Sequence, residues 1–585
     1  MKKWCLVLAL LLACTTAVAQ QAVVKNGPTT VSARQVLATG ALGKVLSGYY
    51  SAAEIQKGVY IGSNFCLACH TNKSAFADTQ HATFMRRPMT QYTLVEKKGV
   101  MGDVNGNGKD DFIDGLDFNA ISSVFDAYKP NAPKLSVKSD GTYLISVGGL
   151  DFPVVATLGG GPGQDQRFLV RVPVTDTTGK VANALYFGPI SWSAASKTWA
   201  ANGPNAWWDA TTKQPRILNT TTTTQLTTLG LSNWSQGCAN CHLTGVRALQ
   251  KIGPEWAVKG YTASLYAADD PAFVDLAGDG TYVLSGITCE NCHGPGSNHV
   301  LGGADATKIV NPAKLTAAQQ QDICANCHVS SASVPNGTFS FPFKDDTMTA
   351  WYPGNGDPLK NYYKDNVAYW PDGKLQKSGR PYNSYQFSAH ATTPYENVSC
   401  NVCHNIHMRT TNERQLITSM YDSGTKLTIK TSPEDNTLCL ACHATYGPFA
   451  KVTKAMVADP VANEETIAKE IAAHAHHPYA PERLMGLGRC TGCHMSTGSG
   501  AHSWRAVGPE MTLKYQDKGG MPNSCGNGCH NNLVNVFGMG VKGAATTWDN
   551  KFDKDLANIL KKYYGTGGTW WDTKGADTSR SQPSK

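Results

Sequence analysis

Apolar positions along this 585-residue chain fall into short groups rather than long periodic stripes. Tyr143-Leu-Ile-Ser-Val147, Arg167-Phe-Leu-Val-Arg-Val172 and Ala184-Leu-Tyr-Phe187 are rich in β-branched and aromatic residues and bounded by Gly, Pro and Asp, which predicts strands. Trp192, Trp199, Trp207 and Trp208 lie in the same region and are expected to fill its core rather than bind a ligand. A helix is predicted from about Leu116 to Tyr128. Long helical periods are few, while Gly (57) and Pro (29) are abundant, so short helices joined by loops are expected elsewhere. The threonine run Thr220 to Thr224 reads as a linker and a candidate for glycosylation, and Asp577 to Lys585 as a polar, unstructured end.

The longest apolar run is at the start. Lys2 and Lys3 precede Trp4 to Ala13, and Ala17-Val18-Ala19 forms a small-residue cleavage site, so residues 1–19 read as a signal peptide with a mature start at Gln20. Leu11-Leu12-Ala13-Cys14 is a competing lipoprotein box. No other run is long or apolar enough for a transmembrane segment. The chain is expected to be exported: periplasmic, on the outer-membrane surface or extracellular.

Cysteine spacing then changes the picture. Of 18 cysteines, Cys5 and Cys14 lie in the leader; the other 16 form eight pairs, each followed at once by histidine. Seven are C-x-x-C-H: Cys66, Cys69 and His70; Cys238, Cys241 and His242; Cys289, Cys292 and His293; Cys324, Cys327 and His328; Cys400, Cys403 and His404; Cys439, Cys442 and His443; and Cys490, Cys493 and His494. The eighth, Cys525, Cys529 and His530, carries one extra residue, and its two intervening glycines suit a bulged loop. C-x-x-C-H is the attachment signature of haem c: two thiols add to the haem vinyls, and the adjacent histidine becomes an axial ligand. A disulfide framework gives no reason for a histidine after every pair. Tetrahedral zinc gives none for its immediate adjacency. Eight covalently bound haems c are therefore expected. The implied fold class is a multihaem cytochrome c: haem-packed, mostly short helices and loops, with a small β-rich insert and a calcium loop.

Motif density suggests an organisation: signal peptide 1–19, an N-terminal segment 20–95 with the first haem, a haem-free insert 96–235, a heptahaem domain 236–535 and a C-terminal tail 536–585. The insert contains Asp103-Val-Asn105-Gly-Asn107-Gly-Lys109-Asp-Asp111-Phe-Ile-Asp114. This matches a calcium loop, with Asp103, Asn105, Asn107, Asp111 and Asp114 offering side-chain oxygens and Lys109 its carbonyl. Asp114 stands where an EF-hand has Glu, so the loop is similar to the dockerin-type variant. A bound Ca2+ of structural role is expected; a solvated Asx-rich turn is the alternative.

The 16 histidines divide evenly. Eight close the motifs. His81, His299, His390, His407, His474, His476, His477 and His502 remain, the number needed to cap eight irons on the far side. Two protein ligands leave an iron no place for substrate, and imidazole pairs lack the potential-raising effect of Met. Charge needs the same bookkeeping. The formal +8 becomes +6 without Lys2 and Lys3 (8 − 2). A ferric bis-histidine haem with its two propionates contributes about −1, so the loaded protein is near neutral. No basic stripe points to nucleic acid.

These motifs carry a resemblance. Tyr60-Ile-Gly-Ser-Asn-Phe-Cys66-Leu-Ala-Cys69-His70 with Thr79-Gln-His81-Ala, and Cys289-Glu-Asn-Cys292-His293-Gly-Pro-Gly-Ser-Asn-His299-Val, resemble the tetrahaem cytochromes that accept electrons from hydroxylamine oxidoreductase. Tyr352-Pro-Gly, Trp370-Pro-Asp-Gly and Ser388-Ala-His390 are similar to larger multihaem cytochromes, including those of metal-reducing bacteria. The likeness spans most of residues 60 to 500; the long insert and the C-x-x-x-C-H site depart from it. It implies electron transfer through closely packed haems, with other redox proteins, metal oxides or electrodes as partners. A variant of that reading stacks copies of the chain into a conducting filament. The other class is an octahaem oxidoreductase with one open iron acting on nitrite, hydroxylamine or tetrathionate. No motif here ends in the Lys that often marks such a site, and the spare histidines favour a carrier without catalytic residues.

Overall fold

The computed structural model describes residues 33–564 except 39, 49, 87–122, 160–164, 176–180, 194–195, 197, 217, 219–221, 247–248, 253–254, 260–261, 264–272, 279–280, 377–379, 393–397, 409–413, 476–487, 497–500, 529 and 531–546. The leader, the calcium loop at 103–114, His476, His477, Cys529 and the end at 577–585 lie outside the described residues. The chain forms two compact units: Met1–Pro312 with Lys344–Asp357, and Ala313–Phe343 with Pro358–Lys585. This division differs from the 235/236 boundary drawn from motif density. Motifs 2 and 3 belong with motif 1: long-range hydrogen bonds tie residues 59–62 to residues 290–297, and Thr288 N–H to Thr244 just after motif 2.

The first unit is organised around a seven-stranded antiparallel sheet: β1 (Met85–Arg86), β2 (Lys134–Val137), β3 (Tyr143–Val147), β4 (Leu150–Leu158), β5 (Gln166–Thr175), β6 (Val181–Ser193) and β7 (Thr198–Ala201). The order is β2-β3-β4-β5-β6-β7, with β1 beside β4. Alternation explains which face is buried: Phe168, Val170, Val172 and Val174 share one side of β5, and all four are inaccessible to solvent. Phe152, Tyr186, Ile190 and the four tryptophans Trp192, Trp199, Trp207 and Trp208 complete that core. Trp208 Nε1 donates to the Asn131 carbonyl at 3.0 Å, giving its one polar atom a partner.

Two readings change here. The threonine run does not stay a linker: Thr223–Thr228 is a helix with a reciprocal cap between Thr222 and Gln225, and it buries Leu226. Of the predicted 116–128 helix, the described part belongs to a 3-10 helix, Ser123–Asn131. It packs Phe125 and Tyr128 edge-on and tilted against Trp208.

The second unit is assembled from short helices around smaller apolar clusters, one of them built on Ile429, Leu440, Val457, Ile467 and Ile471. The region read as a tail contains a 13-residue helix, Phe552–Tyr564. Its Phe552, Leu556 and Leu560 repeat every four residues and bury against Cys525 of the last motif. Among the described residues no helix is long and apolar enough to cross a membrane.

Candidate functional site

The described part of each cysteine motif lies on or beside a short helical turn. The helices are Ser63–Cys69, Ala239–His242, Cys289–His293, Ala317–His328, Thr437–His443, Cys490–His494 and Ser524–Gly528, with a 3-10 turn at Cys400–Val402. Helical spacing accounts for the chemistry: positions i, i+3 and i+4 lie on one face, so both thiols and the imidazole of C-x-x-C-H are presented together. None of the described cysteines is disulfide-bonded.

The second thiols stand in unequal surroundings, which their uniform spacing does not anticipate. Cys241 is buried, Cys69 and Cys442 are exposed, and Cys292, Cys327, Cys403 and Cys493 are half-buried. Burial, reinforced by neighbouring thiols, pushes Cys292 and Cys403 up to about 11. The Cys327 carbonyl accepts from the Arg380 guanidinium at 2.6 Å, which ties the fourth motif to the start of the helix Pro381–Tyr385. Cys442 Sγ lies 3.6 Å from Met420 Sδ. Cys241 and Cys493 each sit one residue before the end of their helices, Ala239–His242 and Cys490–His494. The assignment of Cys241, Cys327, Cys442 and Cys493 to haem attachment rests on their motif positions.

Four spare histidines stand opposite four motif histidines. In the first unit, the rings of His70 and His299 are 6.4 Å apart and 22° from parallel. In the second, His404 faces His502 at 6.3 Å and 28°, His494 faces His474 at 6.0 Å and 11°, and His443 faces His390 at 5.9 Å and 81°. A metal ion between two imidazoles needs about 2 Å for each bond to nitrogen. A further ~1 Å separates each nitrogen from its ring centre, giving centroids ~6 Å apart. These separations fit that requirement. Among the described residues no three His, Cys, Asp or Glu side chains converge as a zinc site would need.

Backbone carbonyls fix the tautomers. The Nδ1–H groups of His293, His299, His404 and His494 donate to the carbonyl oxygens of Val310, Asp305, Arg414 and Trp504 at 2.9, 2.9, 2.8 and 2.9 Å. A carbonyl only accepts, so the proton sits on Nδ1 and the Nε2 lone pair is left for a metal. Burial disfavours the charged form of several of these rings. It lowers His293, His390 and His443, and it brings His502 down to about 4, aided by the charges of His404 and Arg414.

Motifs approach one another through their first cysteines. The Cys66 and Cys289 thiols influence one another: that interaction and then burial push Cys66 up, while Cys66 and Ser63 together outweigh burial and bring Cys289 down to about 7. Cys324 pairs in the same way with Cys400, and Cys439 with Cys490. Polar side chains brace these approaches. Thr288 N–H donates to Thr244 Oγ1 at 3.1 Å, joining the second and third motifs. Ser399 Oγ donates to Gln320 Oε1 at 2.8 Å between the fourth and fifth. Asn436 donates to the Gly488 carbonyl and accepts from the Cys490 N–H between the sixth and seventh. Ser496 Oγ donates to Ser524 Oγ at 3.2 Å, linking the seventh to the eighth.

The other candidates are placed differently. His81 lies in the helix Gln80–Thr83, its carbonyl accepting from Ile287 N–H just before the third motif. His407 follows the fifth motif, its N–H donating to Asn405 Oδ1 at 3.1 Å. Phe84 stacks on His242 at 4.7 Å. His328 ends the helix Ala317–His328, and His530 N–H donates to the Cys525 carbonyl.

Glu290, inside the third motif, escaped the sequence reading. It is fully buried, and its carboxylate accepts from the backbone N–H groups of Ile61, Gly62 and Gly296. A charged residue between two motif cysteines was the available signal. No protein-family model matches the chain, and no curated protein or solved structure is similar to it at a significant level.

Proposed function

We propose that the protein is an exported octahaem c-type cytochrome that carries electrons. The observation that supports this best is the set of four facing imidazole pairs at 5.9 to 6.4 Å, each pair containing one motif histidine. The sixteen motif cysteines would hold the haems covalently, the eight motif histidines would ligate from one side, and His299, His390, His474 and His502 from the other, with His81, His407, His476 and His477 for the rest. A haem capped by two histidines takes up and releases single electrons at low potential and offers substrate no open position.

The protein's own contribution is positional. Carbonyl-anchored Nδ1–H groups hold the imidazoles at a fixed tautomer and make them better donors. Hydrogen bonds between neighbouring motifs hold them close, which favours short steps between neighbouring groups. Redox partners, including other multihaem cytochromes, metal oxides or further copies of the chain in a filament, belong to this proposal, as does Ca2+ at Asp103, Asn105, Asn107, Lys109, Asp111 and Asp114.

The test is covalent haem stoichiometry with low-temperature electron paramagnetic resonance on the oxidised protein. The expected result is eight haems and only low-spin signals. A high-spin fraction near one in eight would replace the carrier by an oxidoreductase with an open iron, to be assayed with nitrite and hydroxylamine. No covalent haem would overturn both.

A further inference from the structure

Two of the facing histidines lack an anchor that several others have. His293, His299, His404 and His494 each give Nδ1–H to a carbonyl, whereas the buried Nδ1 atoms of His390 and His502 make no hydrogen bond. Both of these rings pack against the same side chain. Trp504 meets His390 at 4.5 Å and 72°, and His502 at 5.3 Å and 82°, edge to face in both cases. Its carbonyl is the acceptor for His494 Nδ1–H. One residue thus touches histidines of three pairs: His390 with His443, His502 with His404, and His494 with His474.

The backbone is bent to allow this. Trp504 has φ of 47°, a left-handed value that a bulky residue adopts only where its surroundings over-determine it. Those surroundings are present. Tyr385 packs edge-on against the indole at 5.9 Å, its hydroxyl donates to the Val398 carbonyl, and His502 N–H donates to Ser384 Oγ at 3.2 Å. The helix Pro381–Tyr385 therefore holds the tryptophan ring and the His502 backbone together.

We propose that Trp504 is a positioning residue for the axial ligands: its indole replaces the missing hydrogen bonds of His390 and His502 and sets the plane of each ring, while its carbonyl orients His494. This rests on the haem reading above. A wall on one side of His390 holds it nearly perpendicular to His443, whereas the other three pairs are within 28° of parallel. Crossed imidazole planes bring iron d-orbitals close in energy, which gives a strongly anisotropic low-spin resonance at large g. Near-parallel planes give ordinary rhombic spectra.

The experiment compares purified wild type, Trp504→Leu and Trp504→Phe by electron paramagnetic resonance, spectroelectrochemistry and covalent haem count. Wild type is expected to show a large-g signal beside rhombic ones. Trp504→Leu keeps eight haems but moves or abolishes that signal, shifts the midpoints of up to two haems, and leaves the remaining rhombic signals in place. Trp504→Phe keeps a smaller ring against both imidazoles and moves the same signal in the same direction by less than half as much. Should Trp504→Leu fail to mature, Trp504→Phe carries the test. A spectrum unchanged from wild type in either variant, with eight haems present, overturns the role of Trp504. A wild type without covalent haem overturns the haem reading instead. A residue that merely filled space would alter stability without moving the g-values of a selected pair.

Discussion

Glu290→Gln tests how a buried carboxylate holds the third motif to the first. Glu290 is inaccessible to solvent and sits among the Ile61, Gly62 and Gly296 N–H groups at 2.7 to 3.1 Å. Burial pushes its pKa from 4.5 to about 7, against the pull of the three N–H donors; the nearby Cys289 thiol contributes least. Each tenfold change is worth about 1.4 kcal/mol, so the folded state carries a cost of about 3 kcal/mol once the group is ionised. The sign follows from proton counting. Between pH 4.5 and about 7 the folded form retains a proton that the unfolded chain has released, so wild-type stability falls as pH rises through that window. Below and above it, Glu290 adds no slope.

A glutamine at this position cannot ionise and abolishes the slope. Its oxygen still accepts two N–H groups, but its amide nitrogen meets the third donor head on. A buried donor left without an acceptor costs about 1–3 kcal/mol at every pH. Near pH 4.5 the variant should therefore be the less stable protein, and by pH 8 the two should draw level or cross. Urea midpoints of the holoprotein, followed by circular dichroism at half-unit steps from pH 4.5 to 8, measure this difference directly. The same slope in variant and wild type would refute the argument, because the pH dependence would then arise elsewhere.

Two further substitutions probe separate parts of the chain. Trp207→Ala removes an indole with no solvent exposure, packed edge-on against Phe152 at 5.2 Å, and should cost about 3–5 kcal/mol in the sheet core, read as a lowered urea midpoint. His299→Met should raise the midpoint potential of the haem at His70 while the covalent haem count stays at eight, since a thioether replaces an imidazole anchored to Asp305; a redox titration identical to wild type removes His299 from the ligand set.

What could be read in advance follows from how local each cause is. Two thiols and an imidazole at i, i+3 and i+4 need one helical turn, and the described part of each motif has one. The burial of each thiol is not local in this sense: Cys241 is buried and Cys442 exposed although their motifs are spaced identically. Alternation along Phe168, Val170, Val172 and Val174 needs only the pleat of β5. The terminal helix was equally local: Phe552, Leu556 and Leu560 have helical spacing, and reading them as a tail overlooked it. Thr222 to Thr228 shows the opposite hazard. Composition suggested a linker, yet a capping box and one buried leucine suffice for a helix.

The pairing of histidines is not local either, and no spacing rule supplies it. His502 lies just beyond the seventh motif but faces His404 of the fifth, and His299, just after the third, faces His70 of the first. The second pairing follows from Glu290, which ties the third motif to Ile61 and Gly62 just before the first, and His502 is held through its N–H on Ser384 Oγ, so single residues acting across the chain decide where these rings stand. Counting could say that eight spare histidines match eight motifs; it could not say that two of them share one tryptophan. The number of spare histidines is a matter of composition, while the orientation of the His390 and His502 rings depends on long-range packing at Trp504.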